Sequence, residues 1–461
     1  MTRGVLWALL GMWLVFLPSP PVPALAQNVS PGAMSDEDVA LKVQLLFVPA
    51  PHLRKEVLSA LEKRGDLDVV PGLIQAMRFI PAHADILASL QALTGAVDVT
   101  TWHDWILWQE DHPEIEPFAG FDAFKAEVLA NIDENFRLFL SAGVKHDIRL
   151  EEIVWGGVRK DGIPALVDPT HIGAAEATYL GDDDLVFGIE INGDARAYPL
   201  RILNWHEMFN DVVGGVPVAL AYCTLCGSGI LYETLVEGYS GPFIFGSSGF
   251  LYRSNKLMYD RQTHSLWNQF LGQPVVGSLT GSGLELKIRP VAITSWKEWR
   301  RRHPDTKVLS LDTGYERDYA PGQAYGAYFD SPDLMFPARV PGTRLRPKDF
   351  VFALRFGKHE KAWPLTAFKG GKVINDTVGD LDVVLIGDAV TRTVRAYHAD
   401  GRDFSAVAVG LDKIEAEGKR WRVEEDALRG PDGEQLARLP GHIAYYFAWS
   451  GFKTGAPLYG D

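Results

Sequence analysis

The chain is expected to be an α+β protein, with a helical N-terminal domain followed by a duplicated β-rich domain of sandwich or barrel type. Three observations predict this. Apolar residues recur at helical spacing between about residues 36 and 143. From about residue 150 short β-branched and aromatic runs are punctuated by Gly, Asn and Asp. One stretch of that second region then recurs with its start moved from residue 184 to residue 349.

Residues 1–26 carry a single cation, Arg3, then an apolar run from Val5 to Leu17, several prolines and Ala24-Leu25-Ala26 before Gln27. This is the pattern of a secretory signal peptide, with cleavage expected after Ala26 and the mature chain periplasmic or secreted. The run is short for a membrane-crossing helix, and no later segment reads as one. No integral span is therefore expected once the signal is removed.

Residues 27–150 are expected to form the helical domain. Leu53, Val57, Leu58 and Leu61 share one helical face, and Val69, Val70, Leu73, Ile74 and Met77 share another. Gly65 and Gly95 suit helix C-termini. With Pro49, Pro51, Pro71 and Pro81 breaking the pattern, the spacing resembles a small HEAT-type stack that could receive a protein partner. Trp102, Trp105 and Trp108, with His103 and His112, form an aromatic stretch expected to pack against the next domain.

Residues 151–461 are expected to be β-rich. Leu185–Ile191, Asn192-Gly193 and the residues that follow read as a two-residue hairpin, because Asn-Gly accepts the positive φ angles of a type I′ turn. Residues 184–222 align without gaps on 349–387 with 12 identities in 39 positions. The identities fall on core, turn and corner positions such as Val186, Phe187, Pro199, Asn210, Asp211 and Gly214, which predicts an internal duplication. At the same offset His206 becomes Gly371, Glu207 becomes Lys372 and Cys223 becomes Asp388. The fold is therefore expected not to need those three residues, which makes them candidates for function.

The chain holds only two cysteines, in Tyr222-Cys-Thr-Leu-Cys-Gly227, so no disulfide framework supports this length. A strand before the pair and a glycine after it suit a metal-binding knuckle, with Cys223 and Cys226 as thiolate ligands. His206 is the nearest expected imidazole ligand and His264 a second, a set that suits zinc or copper. Glu207 is expected to act beside the metal ligands or as a general base. Two other readings stay open: dithiol–disulfide exchange, and a structural disulfide, which would close too small a loop to remove much unfolded-state entropy.

The remaining patterns are plainer. Ser247 and Ser248 lack the surroundings of a hydrolase nucleophile elbow, and Gly277-Ser-Leu-Thr-Gly-Ser-Gly283 lacks the lysine of a phosphate loop. Trp296 to Pro304 reads as a short helix with a solvated arginine face. A formal charge of −14 argues against a nucleic-acid partner, and no nucleotide cofactor is expected.

Several stretches together resemble a known family: Asp161-Gly-Ile-Pro-Ala-Leu166, Asn192 to Glu207, Asn210-Asp211, Tyr222 to Gly227, Leu257-Met-Tyr-Asp-Arg261, Ser265-Leu-Trp267 and Trp296 to Ser310. On these the chain resembles a bacterial family catalogued only as domain of unknown function 3179, across about residues 155–400. Members commonly have Pro after the first cysteine, where this chain has Thr224. The resemblance implies that the cysteine and His-Glu segments belong to one recurring domain; it implies no reaction.

Overall fold

The computed structural model of the protein describes residues 34–407, 410–453 and 455–460. The expected leader and its cleavage point after Ala26 lie outside the described residues.

The N-terminal region is helical, in Asp36–Leu45, Pro51–Arg64, Val70–Phe79, Ala84–Thr94, Trp102–Asp111 and Phe121–Ala130. Its boundaries follow local chemistry. Ser35 and Thr101 close capping boxes with Asp38 and Asp104, satisfying amide hydrogens that the first turn leaves free. Gly65 and Gly95 end two helices at φ 76° and 75°, where a side chain would be strained.

The apolar faces of these helices do not keep a core to themselves. Val43, Leu58, Leu73, Leu90 and Phe139 bury against Phe250, Leu257, Tyr259 and Leu266 of the β-rich region. Burying each such side chain contributes about 1.5–3 kcal/mol, so the two regions stabilise one another. The tryptophan-rich helix meets later chain as expected: Trp105 is enclosed, and Arg339 pairs with Asp111 and donates to the Leu107 carbonyl.

Beyond residue 150 the chain is built of sheets. The first hairpin, Leu185–Ile191 with Asp194–Pro199, turns on Asn192 and Gly193 at φ 51° and 80°. The helix Leu200–His206 follows, then the antiparallel strands Met208–Val213, Val216–Cys223 and Ser228–Glu233. Later come Phe350–Phe356 paired with His359–Pro364, a short helical turn Leu365–Phe368, and Lys372–Val378, Leu381–Asp388 and Thr393–His398.

Equivalent residues make equivalent bonds in the two series. Phe187 faces Tyr198 as Phe352 faces Trp363. Tyr198 and Arg196 donate to Asp211, while Trp363 and Lys361 donate to Asp376. Asn210 exchanges two hydrogen bonds with the Phe245 backbone, as Asn375 does with Phe404. Around the second series an eight-stranded sheet curls until its end strands, Lys372–Val378 and Ser405–Ala406, approach each other. Such curling removes exposed strand edges.

The arginine run departs from expectation at Arg302. Trp296 and Trp299 are fully enclosed and fix the roll of helix Trp296–Arg302. Arg302, with a side chain only 10% exposed, is carried onto Asp412 and the Val423 carbonyl, and Arg301 joins Asp412 at 2.6 Å. Arg300 and Arg301 keep exposed side chains as expected, while Arg302 docks instead of being solvated. Among the described residues no helix is long and apolar enough to cross a membrane.

Candidate functional site

Strand Val216–Cys223 delivers Cys223 to a tight turn, and strand Ser228–Glu233 leaves it. Two successive backbone bonds, Cys226 N–H to the Cys223 carbonyl and Gly227 N–H to the Thr224 carbonyl, wind the turn. Gly227 sits at φ 59°, and a Cβ there would come within 3.0–3.1 Å of the Phe350 and Tyr445 rings. Only glycine meets both demands without displacing its neighbours. Tyr445 N–H donates to the Cys226 carbonyl, and the Tyr328 hydroxyl donates to that of Leu225.

Cys223 and Cys226 are disulfide-bonded. They are 3% and 0% exposed, and the Cys226 N–H points at Cys223 Sγ from 3.3 Å. Cys226 Sγ rests 3.3 Å from the carbonyl oxygen of Ser254, at a hairpin tip where Arg253 and Ser254 both have positive φ.

Helix Leu200–His206 ends on Glu207 at φ 55°, and this left-handed cap turns consecutive side chains to different sides. Glu207 faces the cysteine turn. Its Oε1 accepts the Thr224 hydroxyl at 2.6 Å and the Tyr325 hydroxyl at 3.3 Å, and its Oε2 meets Lys256 Nζ at 2.5 Å. Lys256 also reaches Ser247 Oγ at 3.4 Å. Glu207, Thr224 and Lys256 are all buried. Burial and the neighbouring Glu207 carboxylate push the Tyr325 phenol well above its usual range, so it stays protonated.

His206 faces away. Its Nδ1 lies 2.9 Å from the Pro164 carbonyl, which can only accept, so Nδ1 carries the hydrogen. Nε2 therefore accepts from the Tyr319 hydroxyl at 2.6 Å. Burial pushes the imidazole below its ordinary pKa, and it remains neutral. His264 is half-buried with its ring parallel to Tyr259, 6.2 Å away.

The metal site expected from Cys223, Cys226, His206 and His264 is not supported. A disulfide has no thiolate to offer, both nitrogens of His206 are already used, and His264 stacks on a tyrosine. Among the described residues no group of three or more His, Cys, Asp or Glu side chains could hold a metal ion. Among the described residues the expected zinc or copper is thus left without a supporting ligand set.

Beside the turn lies a cleft of about 770 Å³, walled by Tyr222 and Gly227 on one side and by Phe350, Arg392 and Tyr445 on the other. Sequence reasoning missed Lys256, Tyr325 and Arg392, and it noted Thr224 only as a departure from Pro. Lys256 had one visible signal: a lysine inside the otherwise buried run Asn255–Asp260 needs a partner. Tyr325 and Arg392 had none, because long-range packing alone brings them here.

Residues 160–456 match the model of a family described as "Protein of unknown function (DUF3179)". No curated protein and no solved structure matches the chain.

Proposed function

The chain belongs to the DUF3179 family, and from that premise we propose that it is a dithiol–disulfide exchange protein whose working pair is Cys223 and Cys226. The observation that carries this reading is the buried Glu207–Lys256 ion pair bonded to Thr224, the residue between Cys223 and Leu225 in the turn. Burying a carboxylate and an ammonium costs several kcal/mol per ion before their attraction returns it, so stability alone gives little reason to keep them. Exchange chemistry does give one, because each turnover moves two protons at a buried site.

The steps balance as follows. An incoming thiolate attacks Cys223 Sγ, the Cys223–Cys226 bond breaks, and the electron pair leaves on Cys226, which takes a proton from the Glu207–Thr224–Lys256 group. A second thiolate attacks the external sulfur of the mixed disulfide and frees Cys223 as a thiolate; of the two protons shed by the external thiols, one protonates Cys223 and the other restores the Glu207–Thr224–Lys256 group. Two external thiols become one external disulfide, and the protein gains two electrons and two protons. The Cys226 N–H aimed at Cys223 Sγ favours negative charge on Cys223, which suits it as the nucleophile of the reverse reaction.

Several broader expectations support this reading. The leader points to export, into compartments where disulfides persist. The shared bond pattern of residues 184–222 and 349–387 favours an internal duplication, in which one copy kept the scaffold and the other acquired the cysteines. The helical region serves in this reading as a partner-facing domain of HEAT type.

The test uses the mature protein after reduction, exposed to glutathione disulfide, with mass spectrometry of the trapped adduct. Cys226→Ser should accumulate a glutathione adduct on Cys223, and Cys223→Ser should not accumulate one on Cys226. An inert Cys223, or preferential reaction at Cys226, overturns the assignment.

A further inference from the structure

We propose that the cleft beside Gly227 binds a small carboxylate-bearing thiol or disulfide, held by Arg392 and Lys348, and that this small molecule is the exchange partner of the cysteine pair. The proposal rests on the exchange reading and names its substrate class.

Size and access argue first. The cleft, about 770 Å³, has the volume of sites that enclose small molecules. Cys223 and Cys226 are 3% and 0% exposed, so no flat protein surface can reach them. The cleft is lined by Tyr222 and Gly227, which flank the cysteine turn, and by the stacked rings of Phe350 and Tyr445, but not by either cysteine, so a slender ligand seated there would have to reach the disulfide past Gly227.

Charge argues next. Two cations of the lining are neutralised, Arg201 by Asp184 at 2.5 Å and Arg346 by Asp349 at 2.9 Å. The other two, Lys348 and Arg392, are half-buried and, among the described residues, form no ion pair at contact distance, although Asp333 acts on Lys348 through space. Lys348 Nζ donates to the Tyr328 and Ser331 carbonyls and sits 3.3 Å over the Tyr328 ring, so it is held by neutral groups and carries its charge without an ion-pair partner. The Arg392 guanidinium lies 4.4 Å over the Phe350 ring. Asp183 and Asp330 also line the cleft and are exposed to water, which screens their charge. Arg392 and Lys348 are thus the lining cations not engaged in an ion pair, and they can take up an anionic ligand.

The placement of Arg392 is specific. It stands 165 residues after Gly227 (392 − 227) and shares its left-handed backbone, φ 54° against 59°. A non-glycine residue is strained in that conformation.

The experiment measures second-order reduction of the disulfide in the mature protein by reduced glutathione and by neutral 2-mercaptoethanol, in wild type, Arg392→Gln and Lys348→Gln. Each variant should lose about tenfold or more with glutathione, the effect of one lost charged hydrogen bond, and less than about twofold with 2-mercaptoethanol. Equal losses with both thiols, or no loss with either, overturn the proposal. If neither thiol reduces the wild-type disulfide, the exchange reading fails, and calorimetry with S-methylglutathione decides the cleft by itself. Binding that weakens about tenfold in Arg392→Gln keeps the anion site; no binding to wild type removes it.

Discussion

Thr224 donates its hydroxyl hydrogen to Glu207 Oε1 at 2.6 Å from inside the four-residue turn that Cys223 and Cys226 close. This bond joins the disulfide to a buried ion pair, because the other oxygen of Glu207 holds Lys256. The turn and the pair should therefore respond together to substitution.

Glu207→Gln leaves the Lys256 ammonium buried without its counter-charge, and should destabilise the protein by about 3–5 kcal/mol. Replacing both partners, Glu207→Gln with Lys256→Met, should recover most of that loss. Urea unfolding of the three proteins checks the pattern, and a single variant as stable as wild type contradicts the buried pairing.

Cys223→Ser with Cys226→Ser should cost only about 2 kcal/mol, since a loop of four residues restrains the unfolded chain little. The variant should remain folded by circular dichroism and by its denaturation midpoint. A collapse of the fold would make the disulfide structural.

Gly227→Ala should destabilise by about 1–3 kcal/mol, from the left-handed backbone and from overpacking against Phe350 and Tyr445. Gly238→Ala serves as the control. It has comparable φ strain, but a Cβ there meets nothing within 4 Å. The difference between the two variants isolates the packing of the cleft wall.

His442 is enclosed, and burial lowers its imidazole pKa from 6.5 to about 3. The unfolded chain binds the proton more readily, so stability is fully present above pH 6.5 and declines as the pH falls toward 3. Between pH 7 and pH 5 this group alone should remove about 2 kcal/mol. His442→Leu should flatten that part of the pH profile, measured by denaturant midpoints at the two pH values; an unchanged slope contradicts the assignment.

Much of the scaffold was legible in the sequence because local rules dictate it. The Asn192-Gly193 hairpin, the strand into Cys223, the helix at Trp296 and the glycine helix ends all follow from turn chemistry and apolar period. The shared register of 184–222 and 349–387 was visible because core positions such as Phe187 and Phe352 tolerate few substitutions. The site was legible only in its cysteines and in Glu207. His206 was the misleading residue: it adjoins Glu207 in sequence, but the left-handed cap at Glu207 sends the two side chains apart. The ligands that thiolates would have needed are not gathered here, and the groups that do gather come from strand Asn255–Asp260 and from the irregular chain around Tyr325. Sequence spacing carries no information about such long-range convergence. Arg302 of helix Trp296–Arg302 misled for a related reason, since its partner Asp412 is more than 100 residues away.

The measurement that bears most directly on the central claim is a redox equilibration of the native mature protein, counting alkylatable thiols across a graded series of reduced and oxidised dithiothreitol. The account predicts a reversible two-electron transition in which Cys223 and Cys226 titrate together while the protein stays folded, returning to zero free thiols on reoxidation. A disulfide that opens only after the protein is denatured would contradict it.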